Sequence, residues 1–388
     1  MSNLVPRGVQ TLNSSQELYN RLIETIQPLV KISPVGHLRK WMWIVVGILQ
    51  ANSLALSPIA LHIPGDAKAE SRVATIRRWL QDRQVNVWAF YQPVLEHVLA
   101  GWRTVEATVI LDGVEVYNGR LQIFRLSLRH GGHAIPLVWT VLSGPGLTQV
   151  EKLEPMLRRA AKFLQPRVRT VRLLADCGFR DCDWASLCLK LGWNYNIRVA
   201  CNTIIHLRNY PPCRLDELGV RPQQRRYVQD VQLTRKNTFS TNLSVTWTAG
   251  DAQHAPELLA VMSNQVAGRQ RLREYGGRMS IEQSFRDDQS GGFDMEHTRL
   301  QNPRQLERRL LALAIATLGC HELGEYILLE GETYRREIDP GSERVLSLFQ
   351  LGLRWLKRCV STDIDRLPYF KARLLPFKLK PNVNSGES

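Results

Sequence analysis

The chain has 388 residues, 44% of them apolar, with 51 Lys and Arg against 36 Asp and Glu, a formal net charge of +15. That length and apolar content weigh against a disordered chain and allow two or three domains around full-sized cores. The charge excess points to a polyanionic partner, because counterion release drives such binding; nucleic acid comes first and an anionic membrane surface second, with an ordinary basic enzyme as the plain alternative.

No stretch reads as reaching the roughly 18 apolar residues of a bilayer span, and the nearest, Trp41 to Leu49, is expected to be a buried helix. The N-terminus lacks the charged-then-apolar pattern of a signal peptide. The seven cysteines are scattered; Cys177, Cys182 and Cys188 lie close together, but no second cluster completes a zinc pattern. Reduced thiols in a bacterial, cytoplasmic, nucleoid-associated protein with no membrane partner are the expectation.

In chain order, residues 1–103 read as a helical DNA-binding domain. Apolar positions recur at helical spacing from Leu18 to Ile26, Leu38 to Leu49 and Val73 to Leu80, punctuated by Pro28, Pro34, Pro58 and Pro64. Arg77 and Arg78 fall on one short helix, where they suit either a DNA contact or a solvated face. The texture changes at Thr104. Thr108 to Leu111 is a β-rich run ending on Asp112-Gly113, followed by strand-like runs Leu121 to Arg129 and Ala134 to Leu142 around the turn 130–133. A helix is expected over Gln149 to Leu164, a buried strand over Val171 to Ala175 ending on Asp176, a helix over Asp183 to Leu191 and a strand over Trp193 to Val199.

This order is that of a ribonuclease-H-like α/β core, with residues 104–201 as its first part. Residues 202–255, with Pro211-Pro212 and short alternating runs at Tyr227 to Leu233 and Leu243 to Thr248, read as a β-rich insertion. Residues 256–305 resume the core with a strand (Glu257 to Met262) and one long helix (Gln265 to Asp288). Residues 306–388 read as a helical C-terminal region, rich near its end in Arg354, Lys357, Arg358, Lys371, Arg373, Lys378 and Lys380, with a disordered tail from Asn382 to Ser388.

Two carboxylates, Asp112 and Asp176, each follow an apolar β-run, and strand ends are rigid places to mount chemistry. An acid after three apolar residues is common, so each alone is a weak signal. The segment from Tyr275 to Gln289 is more specific. On a continuous helix, Tyr275, Arg278, Glu282 and Gln289 share one face, bringing a phenol, a guanidinium, a carboxylate and an amide together, with Ile281 and Phe285 beside them as core contacts. A carboxylate for a metal with Arg and Tyr for phosphate oxygens suits phosphodiester chemistry.

This helix resembles the Tyr-x2-Arg-x3-Glu-x6-Lys signature of DDE transposases of the insertion-sequence-four family. Gly292-Phe293-Asp294-Met295-Glu296-His297-Thr298-Arg299-Leu300 adds to the likeness, while Gln289 stands where the family has Lys. The resemblance implies Asp112, Asp176 and Glu282 as the catalytic triad holding two Mg²⁺ ions, with Mn²⁺ able to substitute. It implies DNA contacts from Tyr275, Arg278 and Gln289, with Arg286 beside them on the same helix and Trp247 of the insertion as a candidate base-stacker whose plain alternative is a core Trp. The implied activity is cut-and-paste transposition, in many members through a DNA hairpin. Partners would be the terminal inverted repeats and target DNA, bound by a homodimer. The rival readings are a structure-specific nuclease on the same fold and a domesticated, non-catalytic DNA-binding derivative.

Overall fold

The protein's structure, a computed structural model, describes residues 7–102, 104–130, 132–145, 149–233, 239–250, 255–288, 293, 295 and 302–374. Five helices come first: α1 (Arg7–Ile26), α2 (Val35–Ala51), α3 (Leu56–Leu61), α4 (Ala69–Gln81) and α5 (Val87–Val98). Sequence reasoning did not single out α5, which contains Pro93 but buries Phe90, Tyr91, Val94, Leu95 and Val98 along one face; Asn86 caps it by accepting from the Ala89 N–H at 3.1 Å.

A ten-stranded mixed sheet follows. Its first part is β1 (Thr104–Val116), β2 (Leu121–His130), β3 (His133–Ser143), α6 (Val150–Leu164), β4 (Val168–Ala175), α7 (Cys182–Lys190) and β5 (Asn194–Val199). The expected β-rich stretch supplies β6 (Ile204–His206), β7 (Cys213–Arg214), β8 (Arg225–Leu233) and β9 (Phe239–Trp247), and β10 (Leu258–Ser263) returns to β5. The strand order is β3-β2-β1-β4-β5-β10-β9-β8-β6-β7. Strands β1, β2 and β3 form the expected antiparallel meander, and β4 and β5 run parallel to β1. The strands between residues 202 and 255 extend this same sheet through β9 and β10.

The chain then forms α8 (Arg269–Gly276), α9 (Met279–Asp288), α10 (Pro303–Glu330), α11 (Glu332–Arg336) and α12 (Leu348–Thr362). The single helix expected over Gln265 to Asp288 is two helices. Across Gly276-Gly277 the backbone tightens to i→i+3 bonds, with Gly277 N–H to Glu274 O, Arg278 N–H to Tyr275 O and Ile281 N–H to Arg278 O. Beyond α12 the chain is mostly irregular rather than helical; Lys378, Lys380 and the tail 382–388 lie outside the described residues.

Alternation along β1 and β4 explains the layering. Ile110 and Leu174 join Ala134, Ile281 and Phe285 in a small core beneath α9, whereas Val109, Leu111, Leu173 and Ala175 enter the main core on the other face. The sheet is covered on both faces here, which is why β2 is buried along almost its whole length although Gln122, Arg125, Ser127 and His130 interrupt its apolar residues.

One expectation about apolar runs is corrected here. Helix α10 is long and apolar enough to cross a bilayer by length and composition, but 89% of its apolar window is buried inside the protein. It is a core helix, packed against α2, β3 and α12. Its crossing with α12 is unusually close. A Cβ at Gly352 would stand 1.8 Å from the Cys320 carbonyl oxygen, and one at Gly324 2.0 Å from that of Leu348. Backbone is in the way at both positions, so no rotamer change relieves the clash. Gly352→Ala should therefore cost at least about 3 kcal/mol, the upper range for overpacking, read as a lowered midpoint in urea denaturation.

Histidines at the facing ends of β2 and β3 anchor these strands to α10 and to the start of α12. His130 Nε2 lies 2.7 Å from Glu325 Oε1, and His133 Nε2 accepts from the Leu348 N–H at 3.3 Å. Burial, aided by the Arg344 and His130 charges, pushes His133 down to about 4. Burial likewise lowers His321, whose ring stands 5.1 Å from that of His133. Between about pH 6.5 and 4 the unfolded chain binds protons that the folded histidines refuse, so stability is full above that window and falls as pH drops through it. Thermal unfolding across pH 4–7 should show this loss, and His133→Gln should flatten it.

Candidate active site

The parallel register of β1 and β4 builds the site. Leu111 pairs with Ala175 as the last matched residues, so Asp112 and Asp176 each stand one step beyond the ladder on neighbouring strands. Asp112 follows Ile110 by two and Asp176 follows Leu174 by two. Alternation therefore sends both acids to the side that α9 covers. Strand β1 does not end at Asp112, as the sequence implied, but continues against β2 through Val116. Gly113 is required there for space: a Cβ would stand 2.7 Å from the Phe124 ring opposite.

Helix α9 supplies the third acid. Arg278 Nη1 donates to Asp112 Oδ2 at 3.0 Å, and its Nη2 donates to Glu282 Oε1 one turn further on. One guanidinium thus joins two of the three carboxylates. Asp176 Oδ1 accepts from the Gly178 N–H at 2.6 Å, which caps the short turn Cys177–Phe179 and orients the carboxyl. Burial raises Asp112 to about 6; the Arg278 charge and the Gly113 N–H oppose the rise, while the Asp176 and Glu282 charges add to it. Asp112 therefore lies within electrostatic reach of both other acids. Burial also pushes Tyr275 up to about 12 despite the Arg278 and Arg198 charges beside it. Tyr275 Oη and Arg278 Nε are both buried without a hydrogen-bond partner among the described residues. Buried donors left open in this way are what an incoming phosphate oxygen or water satisfies.

The other expected site residues are placed as follows. Arg286 is exposed on α9, one turn beyond Glu282. Trp247 is half-buried on β9, its indole N–H donating to Val220 O at 2.7 Å. Arg77 and Arg78 are exposed on α4, and Arg78 bonds within its own helix to Ala74 O and Thr75 Oγ1, away from the carboxylate site. Gln289 and residues 296–300 of the resembling segment lie outside the described residues. Sequence reasoning missed two arginines of β2. Arg129 is exposed and its guanidinium packs on Gly277, where a Cβ would meet Nε at 2.8 Å. Arg125 is buried under α9.

Among the described residues, no three His, Cys, Asp or Glu side chains already stand together as a metal-holding group. The donor set nevertheless fits a hard divalent cation, being all carboxylate oxygen. The Arg278 guanidinium, between Asp112 and Glu282, is the group that would have to yield.

Residues 136–318, just under half of the chain, match the family described as Transposase DDE domain. The matched segment contains Asp176, Tyr275, Arg278 and Glu282, while Asp112 precedes it and is brought in by strand register. The match supports a DDE transposase, a DNA-cleaving enzyme. No curated protein matches the chain. Among solved structures, the piggyBac transposase synaptic complex with hairpin DNA is similar at a TM-score of 0.41 and 10% identity, over 94% of this chain and 84% of that one. Marinitoga piezophila Argonaute in complex with 5′ OH guide RNA and target DNA follows at 0.22 and 9%, over 54% and 30%. Neither likeness bears on the assignment of residues.

A proton on Asp112 competes with any cation there. Divalent-ion affinity should rise with pH up to about 6, where Asp112 titrates, and level off above it. Calorimetric titration with Mn²⁺ between pH 5 and 8 measures this, and Asp112→Asn should abolish the pH dependence.

Proposed function

We propose that this protein is a cut-and-paste DNA transposase with a ribonuclease-H-like core. Asp112, Asp176 and Glu282 would be its metal-binding acids and Tyr275 and Arg278 its phosphate contacts. The observation that carries the reading is the meeting of Asp112 and Glu282 on the Arg278 guanidinium, with Asp176 on the neighbouring strand near enough for its charge to act on Asp112. The strand order β3-β2-β1-β4-β5, with β2 alone antiparallel to both its neighbours, supports the ribonuclease-H-like assignment. The division into an N-terminal DNA-binding region, a core, an inserted β-region and a basic C-terminal region belongs to the same proposal, as do the family of insertion-sequence-four transposases and a homodimer pairing two DNA ends.

Asp112, Asp176 and Glu282 would hold Mg²⁺, or Mn²⁺ in its place. When bound, the pair of ions supplies charge stabilisation for both the entering and the leaving oxygen of a phosphodiester. The chain's own residues do the rest. Arg278, released from its acids, carries a cation to the scissile phosphate, with Nε as an unused donor. Tyr275, kept as a neutral phenol by burial, donates its O–H to a phosphate oxygen. The same acids serve both strand cleavage and strand joining, since only the nucleophile changes from water to the freed 3′-OH. The chain's excess of Lys and Arg supports long contacts with DNA backbone.

The test uses purified full-length protein, Mg²⁺ and end-labelled duplex taken from the DNA flanking the coding region. The wild type should cut that DNA and join the ends to a target plasmid. Asp112→Asn and Glu282→Gln should each lower cleavage on the order of a thousandfold while DNA affinity in gel shift stays unchanged. If either cuts as well as the parent, the triad is wrong. If ends are cut but never joined, the protein is a nuclease on this fold.

A further inference from the structure

We infer that Arg125 of β2 is the positioning residue that sets the distance between the strand carrying Asp112 and the helix carrying Glu282. The inference deepens the proposed active site and rests on it.

Arg125 is directly opposite Asp112 in the β1–β2 register. Its side chain, 4% exposed, rises from the sheet on the side covered by α9. There its Nη1 pairs with the Asp288 carboxylate, Nη2 donates to Ser284 Oγ at 2.9 Å, and Cζ lies 4.1 Å from the Phe285 ring centre. One guanidinium thus holds three residues along one face of α9. Asp288 is itself almost fully buried, at 1% exposure. A charge pair so far from water holds its geometry tightly, because separating the partners leaves an uncompensated buried ion. The planar fork and ring stack fix orientation as well as distance, which a lysine cannot reproduce.

The consequence reaches the acids. Asp112 and Arg125 are neighbours on one rigid ladder, and Glu282 lies two residues before Ser284 on one rigid helix. The span from Asp112 to Glu282 is therefore set by two contacts of opposite character. Arg278 is the one at the acids themselves, and it must open for a cation to enter. Arg125 touches none of the three acids and can stay closed throughout. It keeps α9 in place when Arg278 lets go. Ile281 and Phe285 pack on Ile110, Ala134 and Leu174, which fixes depth, and Gln350 of α12 donates to Asp287 at 3.2 Å; Arg125 is the polar contact that ties α9 to the strand beside Asp112.

The experiment compares wild type with Arg125→Lys as full-length proteins. The readouts are Mn²⁺ affinity by calorimetry, DNA affinity by gel shift, and the single-turnover cleavage rate at saturating DNA per folded molecule. We expect Mn²⁺ affinity and cleavage rate to fall roughly 10- to 100-fold, as for residues that orient metal ligands, with DNA affinity unchanged. A purely structural role would lower the melting temperature and the folded fraction without moving either value per folded molecule, and that result overturns the inference. Should Arg125→Lys not fold, Ser284→Ala and Phe285→Leu each remove a single guanidinium contact. Graded losses of Mn²⁺ affinity support the inference, and wild-type affinity in both overturns it. Asp112→Asn is measured in parallel. If it binds Mn²⁺ like the wild type, the proposed triad has failed rather than the role of Arg125.

Discussion

Three carboxylates gathered beneath a helix repel one another, and the cost rises as water is removed. The architecture around the site follows from that constraint. Asp112 shows the strain: burial and its two acidic neighbours push it upward, against the pull of Arg278. Arg278 is the opposing charge, and its place in the sequence is dictated by geometry. Arg278, in the turn that leads into α9, stands about one turn ahead of Glu282, so its forked head reaches Glu282 with one nitrogen and Asp112 with another. Tyr275 sits behind it and brings polarity without adding charge. The Tyr-Arg-Glu spacing thus reads as a packing solution for concentrated negative charge, in addition to a recognition motif for phosphate.

Much of this was legible in the chain because apolar runs report strands regardless of context. Val109-Ile110-Leu111 and Leu173-Leu174-Ala175 could hardly be anything but buried β-structure, and the acids after them were visible at once. What no single strand carries is register. That Asp112 and Asp176 are neighbours depends on Leu111 meeting Ala175, a long-range pairing invisible in either segment. Two local signals also misled. Asp112-Gly113 reads as a turn, yet the glycine is there because the Phe124 ring occupies the space of a side chain, and β1 runs on. Gly276-Gly277 reads as part of one long helix, whereas it ends α8 just before α9 begins.

Arg125 was hidden for a related reason. An arginine within an alternating strand normally faces solvent. It is buried because β2 has α9 over one face and the main core under the other, a fact of tertiary layering. Helix α10 is the converse. Its apolar run was legible as a helix, but its length alone could not distinguish a core element from a bilayer span, and only its packing against α2, β3 and α12 settles it. The glycines that allow α12 to come so near look like ordinary helix-weakening residues until the facing carbonyls are seen.

Exposure across the site is uneven, and that unevenness has a direction. The Asp112 side chain is 14% exposed and that of Arg278 12%, while Glu282 is open at 35%. The acids are therefore closed on the side of the sheet and open on the side of α9's outer face, where Arg286 stands exposed one turn further along. Under the proposed function, DNA would approach from the more open Glu282 side, with Arg286 beside its path. On that approach a phosphate meets Glu282 before it can reach Asp112. The guanidinium joining these two acids is the group best placed to turn outward and receive it, and what Arg278 leaves behind is a pocket of carboxylate oxygens held in position by contacts on the far side of the helix.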